Sequence, residues 1–179
     1  MSGTKTIALI GGRGAGKSKI SRKLGKRLGR LVLSTDALIG YEAGGLTTAS
    51  IVEREGWQGF RDREYNILAR CATMPGIVLD CGGGMPVDLS DNGEEIFSER
   101  KAQLLREHTF VIYIKRNMDW LLSRGLADAN RPGLSADYRA LLERRLPWYE
   151  RLADTVLEMD NLSVPQGVEW IVTRLANRA

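Results

Sequence analysis

A chain of 179 residues, 43% hydrophobic and 27% charged, carries enough apolar material for one self-supporting domain. Its two cysteines, Cys71 and Cys81, stand in no C-x-x-C or C-x-x-H spacing, which argues against a disulfide framework or a zinc site and fits a reducing cytoplasm. The net charge of +4 is spread along the chain and no apolar run reaches bilayer length, so small anionic ligands are expected before nucleic acid or a membrane.

Residues 6–10 read as an apolar strand. Gly11-Gly12-Arg13-Gly14-Ala15-Gly16-Lys17-Ser18 follows at once and opens a helix over about 17–28. The octet matches G-x-x-x-x-G-K-[ST] in its required strand–loop–helix setting. Its glycines let the backbone curl until amides from Gly12 to Lys19 point at phosphate oxygens, and the helix N-terminus adds partial positive charge. Lys17 is placed to reach the β- and γ-phosphates, and the Ser18 hydroxyl to ligate Mg²⁺. A nucleoside triphosphate is therefore expected, although GTPases, ATPases and kinases share this loop.

Residues 31–33 form a short second strand. Asp36, just beyond it, can orient or deprotonate an attacking hydroxyl, or can serve as a helix-start aspartate. A helix over 59–71 carries Arg61 and Glu64 on one face; Arg61 reads either as a fork for a substrate carboxylate or as half of a solvated pair. Pro75-Gly76 precedes a third strand at 77–80. Asp80 ends that strand, suited to hold a magnesium-bound water. The triplet Gly82-Gly83-Gly84 then implies backbone approaching a ligand or adopting positive φ. Asp80 to Gly83 also satisfies the D-x-x-G of GTPases. However, Lys115-Arg116-Asn117 stands where a guanine-reading N-K-x-D would, which argues against a GTP switch.

A fourth strand at 110–114 leads to a helix at 118–124. The polar stretch from Arg124 to Leu134 reads as a mobile lid, with Arg131 placed to neutralise charge on a transferring phosphoryl and to exclude water. A helix over 136–152 contains Pro147, expected to kink or restart it and so to set Arg145 against the site. A strand at 155–157 and a helix at 166–177 follow. His108 is read as a turn residue, Trp120, Trp148 and Trp170 as packing, and Cys71 as a small buried hydrophobe. Apolar strands alternating with helices imply an α/β, three-layer αβα fold. It is expected to be one domain over 1–179 with a lid at about 124–135 and ligands at the carboxyl ends of the strands.

Taken in order, these motifs resemble the shikimate kinases, a nucleoside-monophosphate-kinase-like branch of P-loop proteins. The resemblance runs through Gly11 to Ser18, Ser34-Thr35-Asp36, Gly56-Trp57-Gln58-Gly59-Phe60-Arg61 with Glu64, Asp80-Cys81-Gly82-Gly83-Gly84, Arg131-Pro132 and Arg145-Leu146-Pro147-Trp148-Tyr149. It implies a five-stranded parallel sheet in the order 2-3-1-4-5 and transfer of the ATP γ-phosphoryl to the 3-hydroxyl of shikimate, with Mg²⁺ as cofactor. It also implies a monomer whose partners are ATP and shikimate, not nucleic acid or membrane. Asp36 would bind the acceptor hydroxyls and act as base, Arg61 and Arg145 would grip the carboxylate, and Gly83 would contact the ring. Arg131 matches the lid arginine, Arg124 the arginine beside the adenine, and the loop ending at Pro165 the adenine-contacting segment. Two positions depart from the family pattern. Ser34 stands where the family carries an aspartate that supports magnesium, leaving that task to Ser18 and Asp80. Gly133 stands where the family tends to have leucine. A kinase for another small polyol acid such as gluconate, a nucleotide-binding protein without turnover, and a nucleic-acid remodeller remain the rival readings.

Overall fold

The computed structural model describes residues 5–125 and 138–177. In chain order the elements are β1 (Thr6–Ile10), α1 (Lys17–Leu28), β2 (Val32–Ser34), α2 (Thr35–Glu42), α3 (Thr48–Ala72), β3 (Val78–Asp80) and β4 (Val87–Leu89). They continue with β5 (Glu95–Phe97), α4 (Glu99–His108), β6 (Thr109–Lys115), α5 (Met118–Gly125), α6 (Tyr138–Leu152), β7 (Thr155–Glu158) and α7 (Val164–Ala176).

β1 is buried at every position, as a strand covered on both faces must be. Its side chains alternate between two apolar layers. Ala8 and Ile10 face a core with Phe60, Ile67, Leu79 and Tyr149, while Ile7 and Leu9 face one with Ile20, Leu24, Val78 and Ile112. The main sheet runs β2-β3-β1-β6-β7 with every pairing parallel. Counted within that sheet alone its strands stand 2-3-1-4-5, because the antiparallel hairpin β4-β5 takes two numbers without joining it. In register, Asp80 pairs with Leu9 on one side and Ser34 on the other, so the ends of β1, β2 and β3 share one edge of the molecule.

Four elements, α2, β4, β5 and α4, lie outside the sequence expectation, and α3 is longer than expected. α2 starts directly after β2, with Ser34 as N-cap accepting from the Ala37 amide at 3.4 Å. α3 begins eleven residues before the expected 59, capped by Thr47, and bends at Gly56, whose φ of 72° and ψ of 174° are not helical. The hairpin turns at Gly93, with φ of 79°, and Ser98 caps α4. Two readings are corrected. α6 continues through Pro147 and does not restart there, and His108 is the last residue of α4, a basic side chain at a helix C-terminus, not a turn residue. Cys71 is buried as expected, Trp148 and Trp170 are half-buried, and Trp120 is 37% exposed.

Candidate active site

The loop between β1 and α1 takes its shape from glycines with positive φ, at 143° for Gly11, 80° for Gly14 and 99° for Gly16. A Cβ on Gly11 would stand 2.6 Å from the Ile114 carbonyl oxygen, so the loop lies flat against β6. No side chain caps α1 among the described residues, which leaves its first amides facing the groove. Lys17 curls back over the loop, donating to the carbonyls of Gly11 at 2.9 Å and Gly12 at 3.1 Å. Gly14, Ala15, Gly16, Ser18 and Lys19 line a groove whose far wall is Arg116, Trp120, Arg124 and Leu162 to Val164. Trp120 donates from Nε1 to the Gly14 carbonyl at 3.2 Å, and the Arg116 and Arg124 guanidiniums lie 4.4 and 5.1 Å from its ring. Pro165 lies one residue past this wall and lines a separate recess with Lys23, Lys26 and Arg27.

Deeper in, Ser18, Ser34, Asp36, Asp80 and Gly82 surround a second cavity below Lys17 and Arg13. Asp36 is the second residue of α2 and Asp80 the last of β3, so both carboxylates are carried by element ends that the sheet aligns. Gly82 donates its amide to Thr35 Oγ1 at 2.9 Å, tying the end of β3 to the start of α2. Burial pushes the Cys81 thiol far above its usual range, which removes it as a nucleophile.

A third cavity is lined by Thr48, Trp57, Phe60, Arg61, Glu64, Gly84 and Arg145, and it shares Arg13, Asp36 and Gly83 with the second. Asp36 and Gly83 therefore stand at the junction of the two. Arg61 is 3% exposed and Arg145 8%, and both face inward. The solvated-pair reading of Arg61 is thereby corrected: its Nη1 donates to Glu64 at 2.8 Å inside the protein, and Lys101 Nζ donates to the same carboxylate at 3.0 Å. Burial opposes ionisation of Glu64, but the charges of Lys101 and Arg61 outweigh it and hold the carboxyl below its usual range. The Arg61 guanidinium also lies 5.2 Å from the Trp57 ring, and its Nε is buried without a hydrogen-bond partner among the described residues. Arg145 donates from Nε to Glu95 at 3.0 Å, and Tyr149 donates its hydroxyl to the Gly83 carbonyl.

None of the three consecutive glycines adopts positive φ, which corrects half of that expectation. A Cβ on Gly82 or Gly84 would displace the Asp36 carboxylate or the Arg61 guanidinium that crowds it, whereas Gly83 has room. Arg131 and most of the expected lid lie outside the described residues. Glu95 and Lys101 were missed by the sequence reading. Trp57 was visible only as part of the Gly56-to-Arg61 motif.

The shikimate kinase family model matches residues 13–176. The chain is 44% identical to the shikimate kinase of Leptospira biflexa serovar Patoc over 168 residues, covering 93% of each. It is 45% identical to that of Leptospira borgpetersenii serovar Hardjo-bovis over 175 residues, 96% of this chain and 98% of the relative. Among solved structures, the shikimate kinase of Acinetobacter baumannii in complex with shikimate superposes with a TM-score of 0.84 at 28% identity, covering 98% of this chain and 94% of that one.

Proposed function

This chain belongs to the shikimate kinase family, and we propose that its joined cavities carry out transfer of the ATP γ-phosphoryl to the 3-hydroxyl of shikimate. The observation that carries this reading is the junction. A carboxylate, Asp36, stands between a phosphate-loop cavity and a pocket with two inward arginines. ATP lies along the groove with its base near Trp120, Arg116 and Arg124, and its phosphates on the loop amides of α1. Lys17 exchanges its loop carbonyls for β- and γ-phosphate oxygens. Arg61 and Arg145 take the shikimate carboxylate, and Gly83 passes close to the ring.

In the reaction the acceptor hydroxyl oxygen bonds to the γ-phosphorus while the bond to the β–γ bridging oxygen breaks, and Asp36 takes the hydroxyl proton. The protein contributes positioning and charge neutralisation, to which Lys17 and, from the lid, Arg131 belong. Among the described residues no three acidic, cysteine or histidine side chains are set to hold a metal ion by themselves. Ser18 and Asp80, an oxygen-donor pair lining one cavity, would hold a Mg²⁺ ion. That ion, when bound, supplies charge neutralisation at the phosphates. The same reading makes the protein a single-domain cytoplasmic monomer with no nucleic-acid or membrane partner, and no described helix is long and apolar enough to cross a membrane.

A coupled assay tests the proposal. The purified protein is expected to release ADP only when shikimate and Mg²⁺ are both supplied, and not with gluconate. ATP binding without shikimate-dependent ADP release overturns it.

A further inference from the structure

Glu95 belongs to the hairpin outside the main sheet, yet its carboxylate gathers three arginines. Arg145 reaches it through Nε at 3.0 Å and through Nη2, Arg144 through Nε at 3.3 Å, and Arg61 through Nη2 at 3.8 Å. On its far side Arg61 pairs with Glu64, which pairs with Lys101. Lys101, Glu64, Arg61, Glu95 and Arg145 thus form a chain of alternating charge in which no side chain is more than 15% exposed. Lys101 also donates to the Val87 carbonyl, fastening α4 to the hairpin that carries Glu95. With Arg144 included, four cations meet two carboxylates, an excess of positive charge that suits an acid ligand.

Arg61 and Arg145 both line the acceptor cavity, and Glu95 does not. It takes the Nε–Nη2 edge of Arg145 and so fixes how the rest of that guanidinium is presented. Burial opposes ionisation of Glu95, but the hydrogen bonds and charge of Arg145 outweigh it and keep the carboxyl below its usual range, so the clamp stays charged at neutral pH.

We propose that Glu95 is a positioning residue, holding the Arg61 and Arg145 guanidiniums at the spacing and orientation that receive one carboxylate. The hairpin is then a specificity element for acid substrates. This rests on the acceptor-site reading above. Two effects of removing Glu95 oppose one another. Neutralising it adds net positive charge, which alone would tighten binding of an acid. It also frees two long side chains from the geometry that a pair of charge-assisted bonds demands. Orientation dominates, because the Arg61 and Arg145 charges are present in either case and a forked grip on a carboxylate depends on their aim.

The test is steady-state kinetics of wild type, Glu95→Gln and Glu95→Asp, with thermal unfolding as the folding control. Glu95→Gln is isosteric but keeps one acceptor atom and no charge. It is expected to raise KM for shikimate about tenfold, with kcat within about twofold and KM for ATP unchanged. The preference for shikimate over its neutral carboxamide should shrink by a similar factor. A KM for shikimate that stays or falls in Glu95→Gln overturns the proposal, as does an equal rise in both KM values. Should Glu95→Gln fail to fold, Glu95→Asp, which keeps the charge but shortens the reach, is judged by the same criteria. A wild type inactive on shikimate would remove the functional reading itself, whereas an active wild type with unaltered variants removes only the role of Glu95.

Discussion

A methyl group at Gly84 would stand 2.0 Å from Arg61 Nη1 and 2.8 Å from Glu64 Oε1, and one at Gly82 would stand 2.2 Å from Asp36 Oδ1. At Gly83 the nearest atom would be the Arg13 amide nitrogen, at 3.6 Å, an ordinary contact. Gly84→Ala is therefore expected to lower stability by about 1–3 kcal/mol through overpacking and to displace Arg61, raising KM for shikimate. Gly83→Ala should change stability by no more than about 0.5 kcal/mol while still raising KM for shikimate, because its methyl enters the junction of the two cavities. Thermal unfolding beside steady-state kinetics separates the two outcomes, and equal destabilisation by both would count against this geometry. Ser34 presents the converse case. Its hydroxyl caps α2, a task aspartate performs equally well, and it lines the cavity that holds Ser18 and Asp80. Ser34→Asp is thus expected to keep the unfolding temperature and to lower severalfold the Mg²⁺ concentration giving half-maximal rate. An unchanged magnesium titration would show that Ser34 has no bearing on the metal.

At the scale of elements, α5 and the start of α7 form the far wall of the groove along Gly14 to Lys19, and Trp120 braces it by donating to the Gly14 carbonyl beside two arginines. Trp120→Ala is expected to raise KM for ATP about tenfold and leave KM for shikimate unchanged, since Trp120 lines no part of the acceptor cavity. A matching rise in both constants would mean that the wall is structural only. The elements that the sequence made visible are those with their own punctuation. β1 and α1 emerge with the bounds expected because the glycine loop separates an apolar run from an amphipathic one. α4 has a start signal in Ser98, but its inner face carries Lys101 beside Ala102 and Leu105, so the apolar period is interrupted by a buried charge. β4 and β5 are three residues each, too short for alternation to be recognised. α3 was recognised only beyond Gly56, whose positive φ interrupts the helix and makes its two halves read as unrelated segments.

Over the whole molecule, the charged chain from Lys101 to Arg145 links α4, α3, the hairpin and α6, and so couples site order to fold stability. Glu64 and Glu95 both ionise more readily when folded than their ordinary value of 4.5. A carboxylate with a lowered folded pKa contributes stability in full above its unfolded pKa and loses it as pH falls through the folded value. Urea unfolding midpoints are therefore expected to vary little through these groups from pH 7 to about 5 and to drop below about pH 4.5. Because the pairs are buried, the drop should persist at high salt; its disappearance there would assign it to surface pairs. What the amino-acid order determined alone was local: the loop whose glycines choose its torsions, the helix it opens, the apolar strands and hence the α/β class, and the residue types fit to hold phosphate and acid. Those depend on neighbours a few positions apart. Whether Arg61 is buried or solvated, what crowds Gly82 and Gly84, and what holds Arg145 were decided only by tertiary structure. Glu95 meets Arg145 fifty residues along the chain, and burial of a charge depends on what folds over it.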